Sequence, residues 1–353
     1  MTGDVSPGSM GGPAAGPAAG PASGPFASFR PSGQPGRTAI RAVTHGQGRA
    51  VELGEFRAAL ADPDTHVWVD LTDPTLPHLA TVADVLGLHP LVAENIGERS
   101  QRAKIEQVDD HVRIVLFAVE YLGEVRPIEV DFVLGTRFLL TVHASDWDPM
   151  LAPHLRSGVD PVLARGADYL FYALGDWIVD GYFPALDRMA DEIDELQEDA
   201  IQRASSWTLQ RLFVLKRELI GLRRATSPAR EIFNQLTNRE VGFIAPEHVI
   251  YLRDVYDHLL RVTDELDNYR ELVSGTMEVY LSTINNNLSA IMKRLTGVTV
   301  LLAGVGAIAG VFGMSEAGLA LSGGEASGFW VVAIATLAIA AVAAIILRRA
   351  DWI

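Results

Sequence analysis

The hydrophobic positions change their period along the chain. Between about Ala39 and Ser157 they fall in short alternating runs. His66-Val-Trp-Val-Asp70-Leu71 reads as a strand, and so do residues 103–108, 111–121, 128–134 and 137–143, with turns signalled at Asp109-Asp110, Gly123 and Gly135. Asp73-Pro-Thr-Leu-Pro-His opens a helix that carries Leu79, Val82, Val85 and Leu86, and a second short helix follows His89-Pro90 over residues 91–96. Such an order predicts an α+β domain, a mainly antiparallel sheet flanked by helices, over residues 39–167.

From Asp168 the period lengthens to that of a helix. Residues 168–202 predict one helix kinked near Pro184, carrying Leu170, Leu174, Ile178, Leu186, Met189, Ile193 and Leu196. A turn at Ser205-Ser206 leads into a helix over 208–225, which Pro228 and the loop 242–246 should interrupt. Glu247 then opens a last helix with no proline in it. Its isolated Gly275 costs only about 1 kcal/mol, so this helix should exceed roughly 60 residues and 90 Å.

That helix runs into lipid. From Leu295 to Met314 there is no charge, and about 20 apolar residues cross a hydrocarbon core of roughly 30 Å. A second apolar run covers residues 329–347 after a loop of 315–328. Lys293 and Arg294 precede the first run and Arg348 and Arg349 follow the second, whereas the loop carries only Glu316 and Glu325. The positive-inside rule therefore places both termini in the cytoplasm of a multi-pass plasma-membrane protein. The expected organisation is a tail (1–38), the α+β domain (39–167), a helical stalk (168–294), two transmembrane helices (295–314 and 329–347) joined by the external loop, and a cytoplasmic end (348–353).

Within the first span one face differs from the rest. Ser289, Met292, Thr296, Thr299, Ala303, Gly306, Gly310 and Gly313 recur at spacings of three and four, so they share a stripe. Small residues, including the Gly306-x-x-x-Gly310 pair, let helices pack closely in lipid. The same stripe suits a pore ringed by several copies of the helix, and both readings stand at this stage.

Composition narrows the function. A formal charge of −15 excludes nucleic acid as a natural partner and suits a protein that handles cations. Without cysteine there is no disulfide, thiolate metal site or cysteine nucleophile. The tail of Gly, Pro, Ala and Ser lacks the apolar run of a signal peptide and should be disordered. His66, His78, His89, His111 and His143 are scattered and read as surface or strand-end residues. No phosphate-cradling loop or nucleophile–base set emerges, so an enzyme is not expected. Asp191, Glu192, Asp194, Glu195, Glu198 and Asp199 form an acidic run, either a solvated face or a diffuse attraction for hard divalent cations. Arg211, Lys216, Arg217, Arg223 and Arg224 on the next helix are expected to pair with it.

Several motifs in order resemble the CorA-type divalent-cation channels, the two-span Gly-x-Asn superfamily: His89-Pro-Leu-Val-Ala-Glu-Asn-Ile, Ala103-Lys-Ile-Glu, Arg253-Asp-Val-Tyr-Asp-His258, Tyr280-Leu-Ser-Thr, Ile291-Met-Lys-Arg-Leu-Thr and Gly310-Val-Phe-Gly-Met, then a second span. The resemblance implies a funnel-shaped homopentamer in the lipid bilayer, a pore lined by the first span, and Mg²⁺ both transported and regulatory, with no organic cofactor. It also implies closure when Mg²⁺ occupies sites between subunits. Pore residues carried over are Ser289, Thr299, Gly306, Gly310, Gly313, Met314, Ser315 and Glu316, with Met292 and Leu295 as an apolar gate that closes by dewetting. Regulatory metal residues are Asp254 with Asn95, and Glu94 with Asp176.

The departures bear on the ion. The family's Gly-Met-Asn is here Gly313-Met314-Ser315, and serine lacks the amide carbonyl that accepts from the water of a hydrated cation. Glu316 supplies charge beside it. Asn95 replaces an acid, which implies weaker Mg²⁺ feedback. Mg²⁺ influx, with Co²⁺ as a second ion, is the primary expectation. Zn²⁺ transport within the same superfamily and a non-transporting membrane-anchored scaffold are the alternatives.

Overall fold

The computed structural model describes residues 36–98, 102–108, 110–238, 242–313, 327–350 and 352. Met314, Ser315, Glu316, the rest of the expected loop as far as residue 326 and almost all of the tail lie outside them. Contacts group the described chain into two units, one running to Ala190 and including Arg217–Tyr269, the other made of Asp191–Lys216 and the chain from Arg270 onward.

The first unit is built on a seven-stranded sheet of order β2-β1-β3-β7-β6-β5-β4. Its strands are β1 (Arg37–Thr44), β2 (Gln47–Ala50), β3 (Thr65–Thr72), β4 (Lys104–Val108), β5 (His111–Tyr121), β6 (Val125–Gly135) and β7 (Phe138–His143). Every pairing is antiparallel except β3 with β7, so the expected mainly antiparallel sheet is present. The pattern reading missed β1 and β2, whose sequences mix arginine, threonine and glycine and show little alternation.

Side-chain alternation sorts the two faces. Val67, Val69 and Leu71 of β3 join Leu140 and Val142 of β7 in one core with α1 (Phe56–Ala61), α2 (Leu76–Leu86) and α3 (Pro90–Gly97). Trp68, Asp70, Thr141 and His143 take the opposite face, where Trp68 Nε1 donates to Thr141 Oγ1 at 3.1 Å. Against that face, past the short α4 (Asp160–Leu163), packs α5 (Ala167–Asp180), nearly every residue of which is buried. Phe171 of α5 meets Phe132 of β6 edge-on at 5.3 Å. Gly175 is the close approach in this layer: a Cβ there would stand 3.1 Å from the Phe233 ring.

Two helix boundaries differ from the pattern reading. The helix expected over 168–202 is broken at Gly181 into α5 and α6 (Tyr182–Gln202). Pro184 is the cause, but its effect falls one turn earlier: it has no N–H for the Asp180 carbonyl and its ring crowds that oxygen, so it sits in the first turn of a new helix, where no donor is needed. Conversely, Pro228 does not interrupt anything. It lies inside α7 (Ser206–Asn238), which is 33 residues long. Leu219, Leu222, Ala225, Ala229, Ile232, Phe233 and Leu236 are all 0–2 % exposed along one stripe. Each fully buried Leu, Ile or Phe contributes about 1.5–3 kcal/mol, and together they outweigh a penalty near 3 kcal/mol for one interior proline.

After a single 3₁₀ turn (Pro246–His248), α8 runs unbroken over Val249–Gly313, 65 residues, as expected. Leu252, Val255, Leu259, Val262 and Leu266 give it a buried stripe at spacings of three and four. In the second unit Tyr280 of α8 packs with Ala200, Ala204 and Leu209 at the α6–α7 turn. The basic residues of α7 divide: Arg211 pairs with Glu192 of the acidic run, whereas Arg223 pairs with Asp267 of α8, contrary to the expected hairpin partner. The second apolar run forms α9 (Ser327–Arg349).

Candidate functional site

The carboxylate Asp176 lies on the buried wall of α5, and a clamp at the helix beginnings decides what faces it. Asp168, in the first turn of α5, accepts from the Ala245 backbone N–H at 2.8 Å and bonds His248 Nδ1 at 2.8 Å, just before α8. Arg165 stacks on the Tyr169 ring at 3.4 Å and donates to the Tyr251 hydroxyl at 3.0 Å, adding a second tie between the same two helices. With their starts joined, Asp176 and Asp180 come to His258 of α8.

Asp176 is 8 % exposed. Its Oδ2 is 3.0 Å from His154 Nε2, while its Oδ1 is buried without a hydrogen-bond partner. His258 Nδ1 is buried, 3.4 Å from Asp180 Oδ1 and 3.9 Å from Asp176 Oδ1, within ion-pair reach of both carboxylates but without a hydrogen bond of good geometry. The three ligand atoms lie within 4.8 Å of one another, the one such group of histidine and acid side chains found among the described residues. Burial, and then the charge of Asp176, push the Asp180 carboxyl above its ordinary range, against the pull of His258 and His154. Tyr172 is pushed up by burial and then by Asp176, with a smaller push from Asp254, which puts two of the three predicted regulatory acids near one phenol.

Glu94 and Asn95 are placed elsewhere. They belong to α3, whose Val92 and Ile96 pack on the sheet face opposite α5. Arg113 of β5, fully buried and paired with Asp131, also donates to the Asn95 carbonyl at 3.3 Å and so anchors the end of α3 to the sheet. Glu94 is exposed and borders a cavity of about 350 Å³ between α2 and α3, lined by Leu76, Ala80, Ala83, Leu88 and Pro90. Neither Glu94 nor Asn95 meets Asp176 or Asp254 within the chain.

The predicted pore and gate residues are all on α8 as far as Gly313. Met292 and Leu295 are 60 % and 66 % exposed, and Ser289, Thr299, Gly306 and Gly310 are exposed too. Thr299 Oγ1 donates to the Leu295 carbonyl at 2.7 Å, so its remaining capacity is that of an acceptor. At Gly306 an added Cβ would meet nothing within 4 Å. No packing among the described residues demands a glycine there. By length and composition α8 qualifies as a helix able to cross a membrane.

Sequence reasoning missed Asp180, His154 and His258 as possible ligands. The signal was present as two pairs at i and i+4, Asp176-x-x-x-Asp180 and Asp254-x-x-x-His258, which place ionisable groups on one helix face. Of the histidines read as surface or strand-end residues, His111 and His143 stand at strand ends but are only 1 % exposed.

A sheet domain is continued by a 65-residue helix whose later part is apolar and exposed, long and apolar enough to cross a membrane. The chain belongs to the CorA-like Mg²⁺ transporter protein family, whose model matches residues 63–349. It is 34 % identical over 261 residues to a cobalt/magnesium transport protein CorA of Thermotoga maritima, covering 72 % of this chain and 74 % of the relative. A putative metal ion transporter of Bacillus subtilis is 28 % identical over 70 % of this chain and 78 % of its own. The complete structure of the CorA magnesium transporter from Methanocaldococcus jannaschii superposes with a TM-score of 0.74 at 22 % identity, over 90 % of this chain and 98 % of the other, which establishes a shared fold. Membership in this family places the chain among transporters and not among enzymes.

Proposed function

We propose that the protein carries divalent metal cations across the plasma membrane, Mg²⁺ first and Co²⁺ second, as a homopentamer in which α8 lines a central pore and intracellular Mg²⁺ closes it. The observation that carries this reading is the lower part of α8: a stripe of small and hydroxyl residues, free of packing demands among the described residues, on a helix long enough to reach from the cytoplasmic domain through the bilayer. Five copies around an axis give that stripe a purpose. Thr299, already donating to its own helix, offers lone pairs to the water hydrogens of a hydrated ion, which suits Mg²⁺ because it dehydrates reluctantly. Met292 and Leu295 form the apolar gate, and Gly313, Met314, Ser315 and Glu316 the outer mouth. Residues 329–347 make the second span, with both termini cytoplasmic.

For regulation, Glu94 and Asn95 meet Asp176 and Asp254 of a neighbouring subunit. Their positions on opposite faces of one sheet support pairing between chains, since pairing within a chain has no path. The buried Oδ1 of Asp176, without a hydrogen bond, is an acceptor that suits a cation.

A second reading, Zn²⁺ transport, is favoured by Ser315 in place of the family's asparagine. Uptake into proteoliposomes loaded with a fluorescent indicator tests both, with Mg²⁺, Co²⁺ and Zn²⁺ and with the Ser315→Asn variant. Mg²⁺ flux in the unmodified protein is the expected result. Zn²⁺ flux alone, shifted toward Mg²⁺ by the asparagine, would replace the primary reading, and no flux of any ion would leave a membrane-anchored scaffold.

A further inference from the structure

The helix layer that covers β3 carries a hollow left open among the described residues. Leu79, Val82, Val92 and Ile96 of α2 and α3 join the core on the sheet. A second stripe on each helix borders a groove between them, where Leu76, Ala80 and Ala83 of α2 meet Pro90 and Ala93 of α3 across Leu88. Spacings of three, four and seven put these residues on one wall of each helix. Alanine at three of the positions, where a longer side chain would close the gap, leaves the hollow of about 350 Å³. Leu76 is 65 % exposed and lies over Gly97, where an added Cβ would collide with it. An apolar cavity of about 150 Å³ already accepts benzene, so this one has room for a phenyl ring.

The chain enters the sheet domain beside this groove. Arg37 pairs with Thr72 at the end of β3, and Thr38 Oγ1 lies 2.8 Å from His78 Nε2 on α2. Gly36 rests on Asp73 and Pro74 so closely that an added Cβ would stand 2.6 Å from the Asp73 carbonyl oxygen. These ties fix residues 36–38 at the first turn of α2, next to Leu76. The preceding sequence is rich in Gly, Pro, Ala and Ser, but it contains Phe26 and Phe29, followed at once by Arg30. From Phe29 to Gly36 the chain extends up to about 25 Å, whereas α2 is only about 16 Å long. Both rings therefore reach the whole groove. The exposed Asp84 stands on its rim, a carboxylate within the same reach of Arg30.

We propose that the chain's own N-terminal segment around Phe26-Ala-Ser-Phe29-Arg30 docks in the α2–α3 groove, with a phenyl ring in the hollow and Arg30 against Asp84. The segment supplies what the groove lacks: a large apolar side chain against a wall of alanines, and a positive charge for the acid on the rim. Its tether favours it over a free partner, because a short flexible link holds the rings near the groove at an effective concentration on the order of millimolar. The proposal goes beyond the transport reading, and its test reads linkage and amide exchange, not flux.

The chain has no cysteine, so a disulfide can form only between introduced residues. Full-length protein in detergent carrying Ser28→Cys and Ala80→Cys, treated with a mild oxidant, is expected to link within one chain, seen as a crosslinked peptide pair at monomer mass. Adding Phe26→Ser and Phe29→Ser should slow linkage roughly tenfold, since only the tether then brings the pair together. Asp84→Lys should slow it severalfold. In the cysteine-free protein, the amides of residues 76–86 should exchange with deuterium severalfold faster once both phenylalanines are serine. A disulfide between chains would give the groove to a neighbouring copy's segment and overturn the proposal. Linkage unchanged by loss of both rings would overturn it too, as collisions of a loose tether. If no disulfide forms, exchange decides: faster exchange in the serine variant sustains the docking, and equal exchange ends it.

Discussion

His143 shows how a single side chain ties the sheet to conditions in the cell. Burial lowers its basicity, but the Asp70 carboxylate at 3.1 Å, the Ala144 carbonyl and Asp148 more than offset this, so the imidazole binds its proton more tightly than an ordinary histidine of pKa 6.5. A histidine pKa raised on folding contributes stability in full below the unfolded value and loses it as pH rises through the folded value. The melting temperature of the protein is therefore expected to fall as pH is raised above about 6.5, through the higher pKa of the folded imidazole. The His143→Gln variant should show a flatter dependence. Equal slopes for the two proteins would mean that Asp70 does not hold the proton there. That His143 stands at a strand end was legible from the pattern; its burial against Trp147, 4.9 Å away ring to ring, was not, because it depends on a neighbour outside the strand.

At the scale of an element, α7 tests the balance between local propensity and burial. The proline rule reads residue 228 as a break, and it fails because a stripe of seven buried residues crosses the site. Replacing Pro228 with alanine restores an N–H for the Arg224 carbonyl, and after allowing for a more flexible unfolded chain should stabilise by about 2 kcal/mol. Thermal or urea unfolding would measure it. A destabilised variant would show that the proline is required by the fold and not merely tolerated. The α5–α6 break shows the opposite outcome, where a proline does end a helix, one turn ahead of itself.

At the scale of the molecule, the proposed regulatory residues call for a neighbouring subunit. Asp254 is exposed on α8, while Asn95 and Glu94 sit behind the sheet. Asp254→Lys is expected to leave a channel whose flux is much less inhibited by intracellular Mg²⁺, measured in the same proteoliposomes; inhibition equal to that of the unmodified protein would remove Asp254 from the sensor. Native mass spectrometry of the detergent-solubilised protein should give five chains.

The periods of the hydrophobic positions were enough to determine a mainly antiparallel sheet domain, the long last helix and the uncharged segment within it, since strand and helix patterns are local and a 20-residue apolar run has few alternative uses. Motif order was enough to identify the family. The meeting of His258 with Asp176 and Asp180 was decided only by tertiary structure. The residues are about 80 positions apart in the chain, and the Asp168–His248 clamp that sets the two helices side by side is a long-range contact with no local signature.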